Sequence, residues 1–127
     1  MSGVDWERVR PLFEARPDVV CAWAFGSARH GRVRPGADLD VAVLWAAPPG
    51  LDELADLRAD LQKRLEHDDV DLVVLNRARP ILAFEAVSGR RLFCRDPQAT
   101  AAFVSLTARQ YEDDVAFLRQ GLAAGRR

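Results

Sequence analysis

The close spacing of two apolar runs limits how this chain can fold. The runs are Val19–Phe25 and Asp38–Trp45, and the residues between them include glycine, proline and several arginines. Both runs are short and rich in β-branched or aromatic residues, which predicts two buried strands. Parallel strands need a long crossover, usually a helix, and the intervening segment is too short for one. The two strands are therefore expected to pair antiparallel.

The other elements are predicted from hydrophobic period and from capping or breaking residues. A leucine stripe beginning at Leu51 indicates an amphipathic helix, and Ile81, Phe84 and Val87 are the expected apolar side of a shorter one. The prediction is an α/β (α+β) fold with a small mixed sheet flanked by helices and a long C-terminal helix. In chain order we expect helix 5–15, strands 19–25 and 38–45, helix 51–66, strand 70–75, helix 80–89, strand 91–95 and helix 96–124.

Composition excludes several classes of function. The 127 residues fit one domain spanning 1–127, and the net charge of −1 gives no electrostatic reason to expect direct nucleic-acid binding. No segment approaches the roughly 20 apolar residues of a membrane span, and the N-terminus lacks a signal-peptide pattern. Cys21 and Cys94 lie in apolar runs and are interpreted as buried free thiols. A cytoplasmic protein without a membrane partner is the expectation.

Two acids begin the second predicted strand. Asp38 and Asp40 are two positions apart, so alternation along a strand places both carboxylates on one face, while Leu39 and Val41 face the opposite side. The two carboxylates repel each other unless a cation lies between them, and carboxylate oxygens are suitable ligands for Mg²⁺ or Mn²⁺. The alternative is structural: Asp38 caps a turn and Asp40 faces solvent.

A Gly-Ser turn and a third acid favour the metal interpretation. Gly26-Ser27 ends the first strand, where glycine allows close approach to the main chain and the serine hydroxyl can bind phosphate oxygens. Asp71 opens the third strand and is the candidate third ligand, although Asp69 lies on the same face by parity and competes for the role. Three carboxylates would suit a two-metal site for displacement at phosphorus.

These motifs resemble a known family. Gly26-Ser27, Gly31 and Asp38-Leu39-Asp40 are similar to the Gly-Ser…Asp-x-Asp signature of DNA polymerase β-type nucleotidyltransferases. Arg34-Pro35 and Val70-Asp71-Leu72-Val73 resemble the minimal nucleotidyltransferase (MNT) family. The resemblance implies a nucleotidyltransferase fold with ATP as substrate and two Mg²⁺ ions. The implied nucleotide-binding residues are Gly26, Ser27 and Arg29, and the implied catalytic metal ligands are Asp38, Asp40 and Asp71.

The same resemblance implies a protein partner. Many such small proteins are MntA-like antitoxins of HEPN/MNT toxin–antitoxin systems, which transfer AMP from ATP to a tyrosine of a HEPN-domain ribonuclease toxin. Two alternatives stay open: a non-catalytic antitoxin that neutralises by binding, and a small-molecule nucleotidyltransferase of the aminoglycoside type. A homodimer and a hetero-oligomer with the toxin are both compatible with the long apolar stripe of the last helix.

The chain departs from the family pattern at two positions near the acids. The family often has arginine where His30 stands, with Arg29 as a substitute here, and often has serine where Ala37 stands. Neither change removes an acid, so we still expect an enzyme. His67, beside Asp68 and Asp69, is interpreted as a solvated residue at a helix end.

Overall fold

The computed structural model describes residues 2–33 and 36–125, so Arg34-Pro35 of the family resemblance lies outside the described residues. The predicted helices and strands of the central fold are confirmed, with boundaries shifted by a few residues. In chain order the elements are β1 (Ser2–Gly3), α1 (Arg10–Glu14), β2 (Val19–Phe25), β3 (Arg32–Val33), β4 (Leu39–Trp45), α2 (Leu51–Leu65), β5 (Val70–Val74), α3 (Pro80–Val87), β6 (Arg90–Cys94) and α4 (Pro97–Gly125).

The main sheet has the strand order β5-β4-β2-β6. Strand β2 pairs antiparallel with both β4 and β6, while β4 pairs parallel with β5 across the α2 crossover. This is the mixed sheet that the spacing of the apolar runs predicts. It places the start of β4 beside the start of β5 and the end of β2, which is where the predicted site residues lie.

Helices cover both faces of this sheet, in agreement with the α/β prediction. Helices α1 and α2 pack on one face through Phe13, Leu57 and Leu61, all fully buried. Helices α3 and α4 pack on the other face, where Ala83 and Ala86 are buried. Alternate residues of β4 belong to the two cores, so this central strand is apolar on both sides beyond Asp40.

A second, two-stranded sheet was not predicted. The order of elements expected from the sequence has no strand between residues 25 and 38, whereas β3 pairs antiparallel with β1 near the N-terminus, with Ser2 opposite Val33. Each strand has two residues, which is too short for any periodic signal. A hydrogen bond of 2.7 Å from the N–H of Val4 to the carbonyl of Gly31 continues this pairing.

Two predicted apolar faces are wrong in detail. Leu51 opens the leucine stripe of α2 but is 85% exposed, because only the middle of that stripe reaches the sheet. In α3 the sheet-facing residues are Ala83 and Ala86, whereas Ile81 is 45% exposed. Small residues face the sheet because α3 packs closely against it: a side-chain carbon on Gly89 would overlap with the carbonyl of Ala24.

The long C-terminal helix is confirmed, and its stripe is only partly covered. Asp96 caps it by accepting a 3.0 Å hydrogen bond from the N–H of Ala99. Tyr111 is half-buried against α3, but Leu118 and Leu122 are 52% and 67% exposed. Among the described residues, no helix combines the length and apolar character needed to cross a lipid bilayer.

Candidate active site

The Gly-Ser turn follows directly from the end of β2. Gly26 to Ala28 form one turn of 3-10 helix, and Gly26 has a φ of +73°, which disfavours residues with a side chain. A Cβ at this position would also overlap with the Oδ2 atom of Asp40. The main chain therefore lies directly against one of the predicted metal ligands.

The turn is held in place from both sides. The indole Nε1 of Trp6, a buried residue, donates a 3.1 Å hydrogen bond to the carbonyl of Ala28. Arg29 folds back so that its Nη1 donates to the carbonyl of Gly26 at 3.2 Å. Ser27 is exposed at the surface of this turn, so its hydroxyl is accessible to a ligand.

The three predicted acids lie on one face of the sheet. Asp40 is the direct neighbour of Asp71 in the parallel register of β4 and β5, and Asp38 precedes Asp40 by two residues. Leu39 and Val41 are fully buried on the opposite face, so the predicted alternation is confirmed. Asp40 is half-buried, while Asp38 and Asp71 are exposed. Asp69 directly precedes Val70 and lies outside β5.

Asp40 has an unfavourable environment for a negative charge. Partial burial raises the pKa of its carboxyl above the ordinary value, and the nearby carboxylates of Asp71, Asp38 and Glu85 raise it further. A cation bound among these carboxylates would relieve that repulsion. Asp38, Asp40 and Asp71 therefore fit a divalent ion by donor chemistry, since carboxylate oxygens are the ligands that Mg²⁺ prefers.

The side chains do not converge on a single point. In residues 2–33 and 36–125, no group of three or more histidine, cysteine or acidic side chains has the spacing needed to hold one metal ion. The binding of two Mg²⁺ ions therefore stays a prediction, supported by the shared face of the acids and by the raised pKa of Asp40.

Two site residues were not found from the sequence. Glu85 on α3 is a fourth acid whose charge reaches Asp40, and only the packing of α3 on the sheet brings it there. His67 was interpreted as solvated but is half-buried, and its Nε2 lies 2.9 Å from the carbonyl of Ala37. That contact fixes the segment that leads into Asp38. The one sequence signal for the position of Glu85 was Gly89, because a glycine there permits the close approach of α3 to the sheet.

Two of the cavities in the described part of the chain lie near the acids. One has a volume of about 430 Å³, and we call it the aromatic cavity; its lining residues include Phe25, Arg29, Phe84, Glu85, Ser88 and Tyr111. The other has a volume of about 290 Å³ and lies beside Asp38, Asp69 and Asp71, with Arg58 of α2 as its one cationic lining residue.

The mixed sheet, the Gly-Ser turn and the acids paired across β4 and β5 define the class of protein as a nucleotidyltransferase fold. A family model described as Polymerase beta, Nucleotidyltransferase matches residues 7–98. The chain belongs to this family. The sequence resemblance to DNA polymerase β-type nucleotidyltransferases is thereby confirmed.

Solved structures of toxin–antitoxin complexes share this fold. A chain from a toxin–antitoxin complex with AMP-PNP is 24% identical with a TM-score of 0.79, and the match covers 98% of this chain and 100% of that one. A chain from a complex of a tri-AMPylated Shewanella oneidensis HEPN toxin with an MNT antitoxin is 24% identical, with a TM-score of 0.67 and coverage of 90% and 88%. A variant MntA-HpeT complex contains a chain that is 26% identical, with a TM-score of 0.72 and coverage of 91% and 92%. A search of curated proteins finds no match.

Proposed function

We propose that this protein is a Mg²⁺-dependent antitoxin that transfers AMP from ATP to a tyrosine hydroxyl of a HEPN-domain ribonuclease toxin. The observation that carries the proposal is the direct pairing of Asp40 with Asp71 beside the Gly-Ser turn. Membership of the nucleotidyltransferase family supports the transfer chemistry. The likeness to chains of toxin–antitoxin complexes, one with a tri-AMPylated toxin, supports the choice of acceptor.

In the proposed reaction, the tyrosine oxygen attacks the α-phosphorus of ATP in line with the leaving group. A new O–P bond forms, the bond between the α-phosphorus and the bridging oxygen breaks, and pyrophosphate leaves with that oxygen. Gly26, Ser27 and Arg29 would hold the triphosphate, since the turn is exposed and Gly26 lies against Asp40. The attacking hydroxyl loses its proton, for which Asp71 is the candidate acceptor because it is exposed at the edge of the acids.

Asp38, Asp40 and Asp71 would hold Mg²⁺. Bound there, the metal would neutralise charge on the phosphates and lower the pKa of the attacking hydroxyl. The acids themselves contribute preorganisation, because the parallel register of β4 and β5 fixes Asp40 beside Asp71 before any ligand binds. AMP added to the toxin would introduce bulk and negative charge where its RNA substrate must enter.

A second candidate is a non-catalytic antitoxin that neutralises the toxin by covering it. The observation in its favour is the second half of α4, where Phe117, Leu118 and Leu122 are large apolar residues that are all more than half exposed. Apolar side chains exposed on one helix are typical of a surface that a partner protein covers. This candidate leaves the paired acids without a role.

The two candidates are separated by mixing the protein with the product of the adjacent gene, ATP labelled at the α-phosphate, and Mg²⁺. We expect label on a tyrosine of that product and none when Mg²⁺ is chelated. A double variant, Asp38→Asn with Asp40→Asn, should abolish labelling and neutralisation in cells, whereas Asp52→Asn with Asp113→Asn serves as a control of equal charge away from the acids. A stable, silencing complex without label, or full neutralisation by the first double variant, would support the non-catalytic candidate instead.

A further inference from the structure

The aromatic cavity adjoins the Gly-Ser turn through Arg29, and its remaining lining residues have no role in the transfer step proposed above. Phe25, which lines it, is the last residue of β2 and lies opposite Asp40 in the antiparallel register. Gly26 follows immediately. A molecule whose phosphates lie at the turn therefore extends into this cavity on the face of the sheet that α3 and α4 cover.

One wall of the cavity is a pair of stacked aromatic rings. The rings of Phe84 and Tyr111 are nearly parallel, with an interplanar angle of 14° and centroids 4.3 Å apart. Both residues are half-buried, so part of each ring faces the cavity. Because the two rings stack on each other, a planar heterocycle in the cavity would contact their exposed edges or the outer face of one ring, and burial of its apolar surface favours binding.

Glu85 neighbours both that wall and Asp40. It lines the aromatic cavity, and its charge is close enough to contribute to the raised pKa of Asp40. In the part of the chain that the structure describes, its carboxylate takes part in no hydrogen bond or ion pair. An ionised carboxylate is an acceptor only, with two oxygens available to donors on a ligand.

We propose that Glu85 accepts hydrogen bonds from the ribose hydroxyls of the bound nucleotide, whose base lies against Phe84 and Tyr111. This inference rests on the proposed function, because it needs a nucleotide with its phosphates at Gly26-Ser27. The Gly-Ser turn, Glu85 and the aromatic wall together offer a partner for each part of a nucleotide: phosphates, ribose and base. Ribose is the uncharged middle part of the molecule, so Glu85 can face it without the repulsion that a phosphate would produce.

The consequence is selectivity for ribonucleotides over deoxyribonucleotides. Hydrogen bonds to a charged group are stronger than neutral ones, and losing one lowers affinity by about tenfold. Replacing the carboxylate with the amide of glutamine keeps the size of the side chain but weakens this recognition. Because Glu85 is exposed, the substitution is not expected to disturb folding.

The test is calorimetric binding of α,β-methylene-ATP and its 2′-deoxy and 3′-deoxy analogues in the presence of Mg²⁺. We expect the unchanged protein to prefer the ribonucleotide by about tenfold, Glu85→Gln to lose that preference, and Glu85→Asp to retain part of it. Glu112→Gln, an exposed glutamate on α4 outside the cavity lining, is the matched control and should keep the preference. Tyr111→Ala should lower the affinity for all three nucleotides by the same factor.

Three results would overturn the inference. Equal affinity of the unchanged protein for the ribo and deoxy analogues would remove the selectivity that Glu85 is assigned. If Glu85→Gln keeps the full preference for the ribonucleotide over the deoxy analogues, the carboxylate does not contact the ribose. The same conclusion follows if Glu85→Gln instead changes the preference between adenine and hypoxanthine nucleotides that have the same ribose. Absence of any nucleotide binding by the unchanged protein would overturn the proposed function as well, which distinguishes the two failures.

Discussion

Gly26 lies so close to Asp40 that any side-chain carbon at position 26 would overlap with the Oδ2 atom of that aspartate. Gly26→Ala therefore introduces two separate effects: strain at a φ of +73° and displacement of the Asp40 carboxylate. We expect a loss of about 1–2 kcal/mol in the free energy of unfolding from the strain, together with a loss of nucleotide binding. Urea unfolding and calorimetric titration with α,β-methylene-ATP measure the two.

Gly36→Ala is the matched control for that substitution. Gly36 has a φ of +78°, but no atom lies within 4 Å of a Cβ built there. It should show a similar loss of stability and retain nucleotide binding. If both variants bind equally well, the contact between Gly26 and Asp40 has no part in the site.

Ionised Asp40 is predicted to destabilise the metal-free protein. The pKa of Asp40 in the folded protein is raised above its ordinary value of 3.8. The neutral carboxyl therefore makes its full contribution to the free energy of unfolding below pH 3.8, and that contribution is lost as the pH rises through the folded-state pKa. Asp40→Asn should therefore unfold at a higher temperature than the unchanged protein at neutral pH without Mg²⁺. The difference should shrink as pH falls toward 3.8.

Mg²⁺ should reverse that ranking at neutral pH, because a bound cation stabilises the protein with all three carboxylates more than the variant that keeps only two. Thermal unfolding with and without Mg²⁺ measures both effects, and Asp113→Asn on α4 is the control. An Asp40→Asn variant that is less stable than the unchanged protein without Mg²⁺ would contradict the assigned repulsion.

His67 positions the segment before Asp38. Its Nε2 lies 2.9 Å from the carbonyl oxygen of Ala37, so the ring donates through Nε2–H. His67→Ala should lower the free energy of unfolding by about 1 kcal/mol and weaken Mg²⁺-dependent nucleotide binding, while His67→Gln, which keeps a donor, should recover part of the binding. If His67→Ala binds the nucleotide as tightly as the unchanged protein does, the contact between His67 and Ala37 contributes to stability alone.

The central elements were predictable because they follow from local patterns. The strand predicted at residues 19–25 has the same bounds in the structure, Val19–Phe25. The alternation of buried and exposed side chains around Asp40 follows from the two-residue period of a strand alone. The antiparallel pairing of β2 and β4 followed from the length of the connection between them. None of these predictions needs information about distant parts of the chain.

The missed features depend on how separate elements meet. Glu85 reaches Asp40 only because Ala83 and Ala86 allow α3 to pack closely on the sheet. A helical stripe indicates an apolar side but not how much of it a neighbour covers, which is why Leu51 was misassigned. His67 was missed because its partner is a main-chain carbonyl, which carries no sequence signal.

The covered part of the α2 stripe should control stability. Leu57 is fully buried, whereas Leu51 is 85% exposed at the start of the helix. Leu57→Ala should lower the free energy of unfolding by about 2–5 kcal/mol through lost burial and an unfilled cavity, and Leu51→Ala should change it by less than about 0.5 kcal/mol. Chemical denaturation compares them, and equal effects would contradict the observed packing of α2.

The register of β4 and β5 favours Asp71 over Asp69 for the third catalytic position, and this assignment stays a prediction. Asp71 lies within β5 as the direct neighbour of Asp40, whereas Asp69 precedes the strand and its carbonyl accepts a 2.8 Å hydrogen bond from the N–H of Leu39. Asp71→Asn should therefore lower the rate of AMP transfer by about 100-fold or more, in the range found when a group that stabilises the transition state is removed. Asp69→Asn keeps the main-chain carbonyl and should leave the rate close to that of the unchanged protein. The two variants have the same charge change, and transfer of label from α-labelled ATP to the product of the adjacent gene measures both. A larger loss in Asp69→Asn than in Asp71→Asn would assign the third acid to Asp69.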